Sequence, residues 1–137
     1  MRYTPPPFEV ADSLRENIQG FLKDCGGIYE TQGERVEMGI LLCIATGQFY
    51  YKKNEYFVSW WKVHEEDLPS IFDKVIPGNI ANGNALYIVE CGCKNPRHMV
   101  KIRSRLRKMA VGLKGVYWQR DGIVPKLFPR QEGYHGK

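Results

Sequence analysis

Between Cys91 and His98 the chain reads Cys-Gly-Cys-Lys-Asn-Pro-Arg-His, placing two thiols, two cations and an imidazole close together. The pattern C-x-C-x4-H invites a zinc reading. Zinc takes four ligands, however, and its sites generally show C-x2-4-C spacing with a second clustered pair. His64, Cys25 or Cys43 would have to be delivered by folding, so no metal is expected. Strand alternation puts Cys91 and Cys93 on one face, as plain packing would. A cysteine nucleophile has no histidine that the sequence assigns as its base. Two other groups could do proton chemistry. Glu90 ends an apolar run and could act as a base if burial lifted its pKa; the plainer role is a hydrogen-bonded strand-end carboxylate. Tyr117, beyond the basic stretch, is either an acid or an aromatic core residue.

The distribution of charge narrows the ligand class. From Lys94 to Lys137 there are twelve Lys/Arg against two acids, Asp121 and Glu132, a net of +10. Residues 1–93 carry eight Lys/Arg and thirteen acids, a net of −5, so the overall +5 conceals a bipolar chain. A cationic patch at a helix N-terminus beyond a buried strand suits an anion: a phosphate, a cofactor, a nucleic acid or an acidic protein.

With 137 residues and 43% apolar content, the sequence is expected to form one domain, residues 1–137, with a substantial core. The longest apolar run, Met38 to Thr46, is far short of the ~20 residues a membrane helix needs. No membrane partner is expected. No signal-peptide pattern opens the chain, so the four cysteines are read as free thiols and the location as cytoplasmic.

The elements that must position these groups follow from pattern. Residues 1–10, with Pro5-Pro6-Pro7, are expected to be extended. Ser13-Leu-Arg-Glu16 has capping-box spacing, and Leu14, Ile18, Phe21 and Leu22 share a face, predicting a helix from Ser13 to Asp24. A second helix is predicted from the Thr31–Glu34 cap signal to Gly47, which stands where a helix C-terminal glycine belongs. Phe49–Tyr51 and Tyr56–Val63 read as a β-hairpin, with Trp60 and Trp61 on opposite covered faces. A short helix from His64 to Phe72 and a loop over Pro77–Asn84 come next. Leu86–Cys91 reads as a central strand. Pro96 then suits the first turn of a helix with Met99, Ile102, Leu106 and Met109 on one face. Arg97, Lys101, Arg103, Arg105, Arg107 and Lys108 cover the rest. Gly115–Arg120, an Asp121-Gly122 turn and Ile123–Phe128 make a final hairpin, and 129–137 a loose basic tail.

This order, with Phe57-Val-Ser-Trp-Trp61 and Gly83-Asn-Ala-Leu-Tyr-Ile88 in place, resembles the N-acyltransferase superfamily usually called GNAT. The nearer likeness is to its toxin-activating lysine acyltransferase branch and to small GNAT-like proteins of bacteriophages. The resemblance covers roughly residues 34 to 120. It implies an α/β (α+β) fold with a mostly antiparallel sheet and helices on both faces, truncated at the C-terminal end. It also implies acyl transfer to an amine from a pantetheine thioester, with acyl-CoA or acyl carrier protein as donor. Carried onto this chain, Glu90 would be the base and Tyr117 the acid. Cys91 and Gly92 would hold the thioester, and Lys94, Arg97 and Lys101 the phosphates. In place of the family's Arg/Gln-x-x-Gly-x-Gly/Ala loop the chain has Cys91-Gly-Cys-Lys-Asn-Pro96, which favours the acidic carrier protein as donor.

The basic helix leaves other readings open. It is a solvated face, a contact for CoA or carrier-protein phosphates, or a contact for a nucleic-acid backbone with Tyr117, Trp118 and Arg120 stacking on bases. The alternative function is therefore a non-catalytic GNAT-like phage accessory or virion protein. Its basic C-terminal third would bind nucleic acid or an acidic protein.

Overall fold

A computed structural model describes residues 3–25, 33–73, 75–118 and 126–128. The fold is α+β. Among the described residues five strands are hydrogen-bonded in the order β1-β2-β3-β4-β5 in one mixed sheet: β1 (Phe49–Lys52), β2 (Tyr56–Val63), β3 (Ala85–Cys93), β4 (Gly115–Trp118) and β5 (Lys126–Phe128). The main helices are α1 (Phe8–Asp24), α2 (Glu34–Thr46), α3 (Leu68–Phe72) and α4 (Arg97–Met109). Two compact units are formed: Met1–Trp60 with Val89–Ile102, and Trp61–Ile88 with Arg103–Lys137.

In the first unit α1 begins five residues before the predicted Ser13, correcting the expectation that residues 8–10 are extended. The proline run ends at Pro7, whose carbonyl accepts the Ala11 N–H at 2.9 Å. Nothing in Phe8-Glu-Val-Ala-Asp12 breaks a helix, and Glu9 favours the first turn's dipole. Ser13 therefore sits inside the helix, exposed, rather than capping it. Ala11, Ile18, Phe21 and Leu22 are buried and join Val36, Ile40 and Ile44 of α2 and Phe57 of β2 in one core. Arg15 ties the two helices through Asp12 at 2.9 Å and Glu37 at 3.7 Å. Gly47 ends α2 with φ 71°, the left-handed geometry that favours glycine.

The hairpin forms as predicted, antiparallel from Phe49↔Ser59 to Lys52↔Tyr56, with Asn54 at φ 65° in its turn. Six consecutive residues of β2, Tyr56 to Trp61, are buried, so the strand is covered on both faces.

In the second unit a single 3-10 turn, Glu65–Asp67, leads into α3, which buries Leu68 and Ile71. The 77–84 loop is held to β2 where the Lys62 N–H reaches the Ile80 carbonyl at 2.8 Å. Gly83 there lies so close to Val63 that a side chain would meet its backbone at 2.0 Å. The Asn84 side chain accepts the Glu65 N–H at 2.8 Å, and its carbonyl accepts the Lys114 N–H at 2.7 Å. Ala85–Ile88 of β3 pair in parallel with Gly115–Trp118. A parallel pair needs a crossover, and α4 supplies it. β4 then pairs antiparallel with β5, with a bulge at Val116/Tyr117. The Asp121-Gly122 turn, residues 119–120 and 123–125 of the predicted final strands, and the basic tail lie outside the described residues.

Candidate active site

The candidate residues fall in both units, and each is placed within its own. In the first, β3 runs from Val89 through Glu90, Cys91, Gly92 and Cys93 into Lys94, then the Asn95-Pro96 turn and α4. Pro96 stands just before the helix rather than in its first turn. The Asn95 side chain accepts the Arg97 N–H at 3.0 Å, while the Asn95 and Pro96 carbonyls take the N–H groups of His98 and Met99. Any anion at this helix start meets N–H groups that already have partners. Arg97 is exposed and Glu90 half-buried. The Lys94 ammonium lies 6.0 Å from the centre of the Phe21 ring, a cation–π approach.

Glu55, which sequence reasoning passed over, is the acidic centre of this region. Its carboxylate lies 3.2 Å from Lys52 Nζ, 3.4 Å from His98 Nε2 and 3.5 Å from Lys101 Nζ. Its backbone carbonyl accepts the Lys94 N–H at 3.2 Å and lies 3.2 Å from His98 Nδ1. The Lys52 hydrogen bond, with the charges of Lys52, Lys101 and His98, holds the Glu55 carboxyl below its usual range. The hairpin turn is thus fastened to the start of α4, and Lys101 already has an internal counter-ion. The signal in the sequence was Glu55 closing the Lys52-Lys-Asn-Glu turn, an i,i+3 pair that points nowhere until the turn is folded.

His98 faces Glu55 with both ring nitrogens, so the imidazole of the C-x-C-x4-H pattern is engaged there. Among the described residues no group of three or more His, Cys, Asp or Glu side chains is placed to hold a metal ion. The Cys91 thiol is pushed up to about 12 by burial first, then by Cys93, Glu90 and Cys25. Such a thiol is a poor nucleophile near neutral pH. Gly92 packs against α1: a side chain there would stand 2.8 Å from Leu22 Cδ2 and 3.5 Å from Cys25 Sγ.

In the second unit Tyr117 lies opposite Tyr87 in the parallel register. Its hydroxyl donates to Glu65 Oε2, a partner the sequence reading did not identify. Burial, then this bond and the carboxylate charge, raise the phenol to about 12. Glu65 is aimed by the 3-10 turn and by Asn84. Trp61 packs on Tyr87 with ring centres 6.0 Å apart. Among the described residues its buried Nε1–H has no hydrogen-bond partner.

Arg97, Lys101, Arg103, Arg105, Arg107 and Lys108 are exposed along α4, whose buried anchors are Ile102 and Leu106. Among the described residues no helix is long and apolar enough to cross a membrane. No family model, no curated protein and no solved structure matches the chain.

Proposed function

We propose that the chain is an N-acyltransferase that moves an acyl group from a pantetheine thioester, on CoA or an acyl carrier protein, to an amine. The observation that carries this reading is the β3–α4–β4 unit, a parallel pair bridged by a basic helix. The end of β3 continues through Glu90 and Cys91–Gly92 to Lys94 and the helix start. Backbone N–H groups near Glu90–Gly92 would hold the thioester carbonyl and stabilise the oxyanion. Within the first unit Glu90 would take the amine proton and Lys94, Arg97 and Lys101 would bind phosphate; the role of acid toward the departing thiolate comes to Tyr117, in the second unit, from the family resemblance alone. The Glu65 bond keeps the proton on Tyr117 but makes it a weaker acid, so Glu65 must release the phenol for that step. The test is acyl transfer to a panel of small amines by wild type and Glu90→Gln. Loss of transfer by about 10²-fold or more with donor binding intact supports the base assignment. Full turnover by the variant removes it.

A second reading is favoured by the exposed cations of α4. A non-catalytic protein, a phage accessory or virion component, would use them to bind nucleic acid or an acidic protein surface. Phosphate-backbone binding weakens steeply between low and moderate salt, whereas a pantetheine contact, mostly apolar, depends on salt less.

A further inference from the structure

We propose that the sheet face carrying Trp61, Tyr87 and Tyr117, with the Glu65 carboxylate beside it, binds a small organic ammonium ion that bears an oxygen acceptor, as choline does. All four residues belong to the second unit. The Trp61 and Tyr87 rings pack with centres 6.0 Å apart and planes tilted by 36°. Tyr87 and Tyr117 are register partners in the parallel pair, so their side chains leave the sheet on one face. The Tyr117 hydroxyl in turn binds Glu65 Oε2. Three neighbouring strands thus each give one aromatic ring, and the carboxylate stands at the end of the row. Tyr87, Tyr117 and Glu65 are each half-buried, and Trp61 is buried.

Two features of this face go unused by packing. Among the described residues no Lys, Arg or His forms an ion pair with Glu65, whose side-chain partner is the neutral phenol on Oε2. Glu55, by contrast, holds three cations. The second feature is the buried Trp61 Nε1–H, unpartnered among the described residues. Burying a donor unpaired costs free energy, and an oxygen on the ligand would recover it. Aromatic ring faces attract a cation within about 6 Å of their centres, and recognition of quaternary ammonium ions uses this attraction. The carboxylate adds a Coulombic attraction of the same sign and repels phosphate. This face therefore selects against the anionic ligands that α4 suits. The carboxylate is set in place beforehand: the Asn84 side chain accepts the Glu65 N–H at 2.8 Å, while its carbonyl takes the Lys114 N–H at 2.7 Å. The inference does not depend on the acyl-transfer reading.

The experiment titrates the full chain, isotopically labelled at nitrogen, with choline and follows the indole N–H resonances; Trp61→Phe assigns the Trp61 signal. Choline is expected to move that signal saturably. Its uncharged analogue, with carbon in place of the ammonium nitrogen, should bind at least about tenfold more weakly. Glu65→Gln keeps an acceptor for Tyr117 but removes the charge, and should weaken choline by a similar factor. Glu66→Gln, the same charge change at an exposed neighbour, should bind as wild type. Tyr87→Leu, which leaves the carboxylate in place, is the second variant and should also weaken binding, with urea midpoints showing that each variant folds. No saturable shift at Trp61, equal binding by the uncharged analogue, or wild-type affinity in Glu65→Gln overturns the proposal. Thermal-shift titration with CoA tests the donor reading separately, so failure of one is not failure of the other.

Discussion

The Tyr117 hydroxyl donates a hydrogen bond to the Glu65 carboxylate, joining β4 to the 3-10 turn that follows β2. These residues are 52 positions apart in sequence, and the Glu65 backbone is in turn held by Asn84.

This bond has a pH signature. The folded phenol is raised from 10.0 to about 12, so the folded chain holds that proton more tightly than the unfolded one. The contribution to stability is complete below the unfolded value and is lost as pH rises from 10 to 12. Glu65→Gln should bring the Tyr117 titration down toward 10 while leaving a residue of the shift that burial alone causes. Ultraviolet difference titration of both proteins measures this, with Tyr117→Phe identifying the transition.

Glu55 titrates with the opposite sign. Its carboxyl is held below 4.5 in the folded chain, so its contribution is present above that value and disappears as pH falls through the folded pKa. Urea unfolding of wild type and Glu55→Gln should differ at neutral pH and converge in acid. The same substitution frees Lys52, His98 and Lys101 from their internal anion. Inorganic pyrophosphate should then bind the variant several-fold more tightly than wild type, with a steeper salt dependence, as calorimetry would report.

Gly83 should tolerate no side chain. A Cβ there would meet the Val63 backbone carbon and oxygen at 2.0 and 2.1 Å. Gly83→Ala is expected to cost about 1–3 kcal/mol or more, the range of overpacked sites, by displacing the 77–84 loop and the Asn84 bonds. Gly78→Ala, whose Cβ meets nothing within 4 Å, is the control. Denaturant midpoints of the two variants give the comparison.

Local pattern was enough to read the hairpin, the Gly47 helix end and the apolar face of α4. In each, residues a few positions apart set the geometry, and Trp60 and Trp61 are indeed both buried. The start of α1 was misplaced because Ser13 and Glu16 have capping spacing, yet the segment from Phe8 packs its Ala11 into the core and extends the helix backward. The partners of the candidate site were not legible for a different reason. Glu65 and Glu55 lie in turns, and a turn carboxylate acquires a role only from what folding brings to it: Tyr117 in one case, His98 and Lys101 in the other. The thiols were visible as residues, but the approach of Cys25 to Gly92 depends on how α1 meets β3.

The central claim, that the chain takes a pantetheine-borne acyl donor, is tested most directly by thermal-shift titration. The ligands are CoA, acetyl-CoA, a pantetheine-loaded acyl carrier protein and a generic single-stranded oligonucleotide, each at low and moderate salt. The account predicts saturable stabilisation by a pantetheine ligand that survives moderate salt. Stabilisation by the oligonucleotide alone, vanishing as salt is raised, would contradict it and favour the nucleic-acid-binding reading of α4.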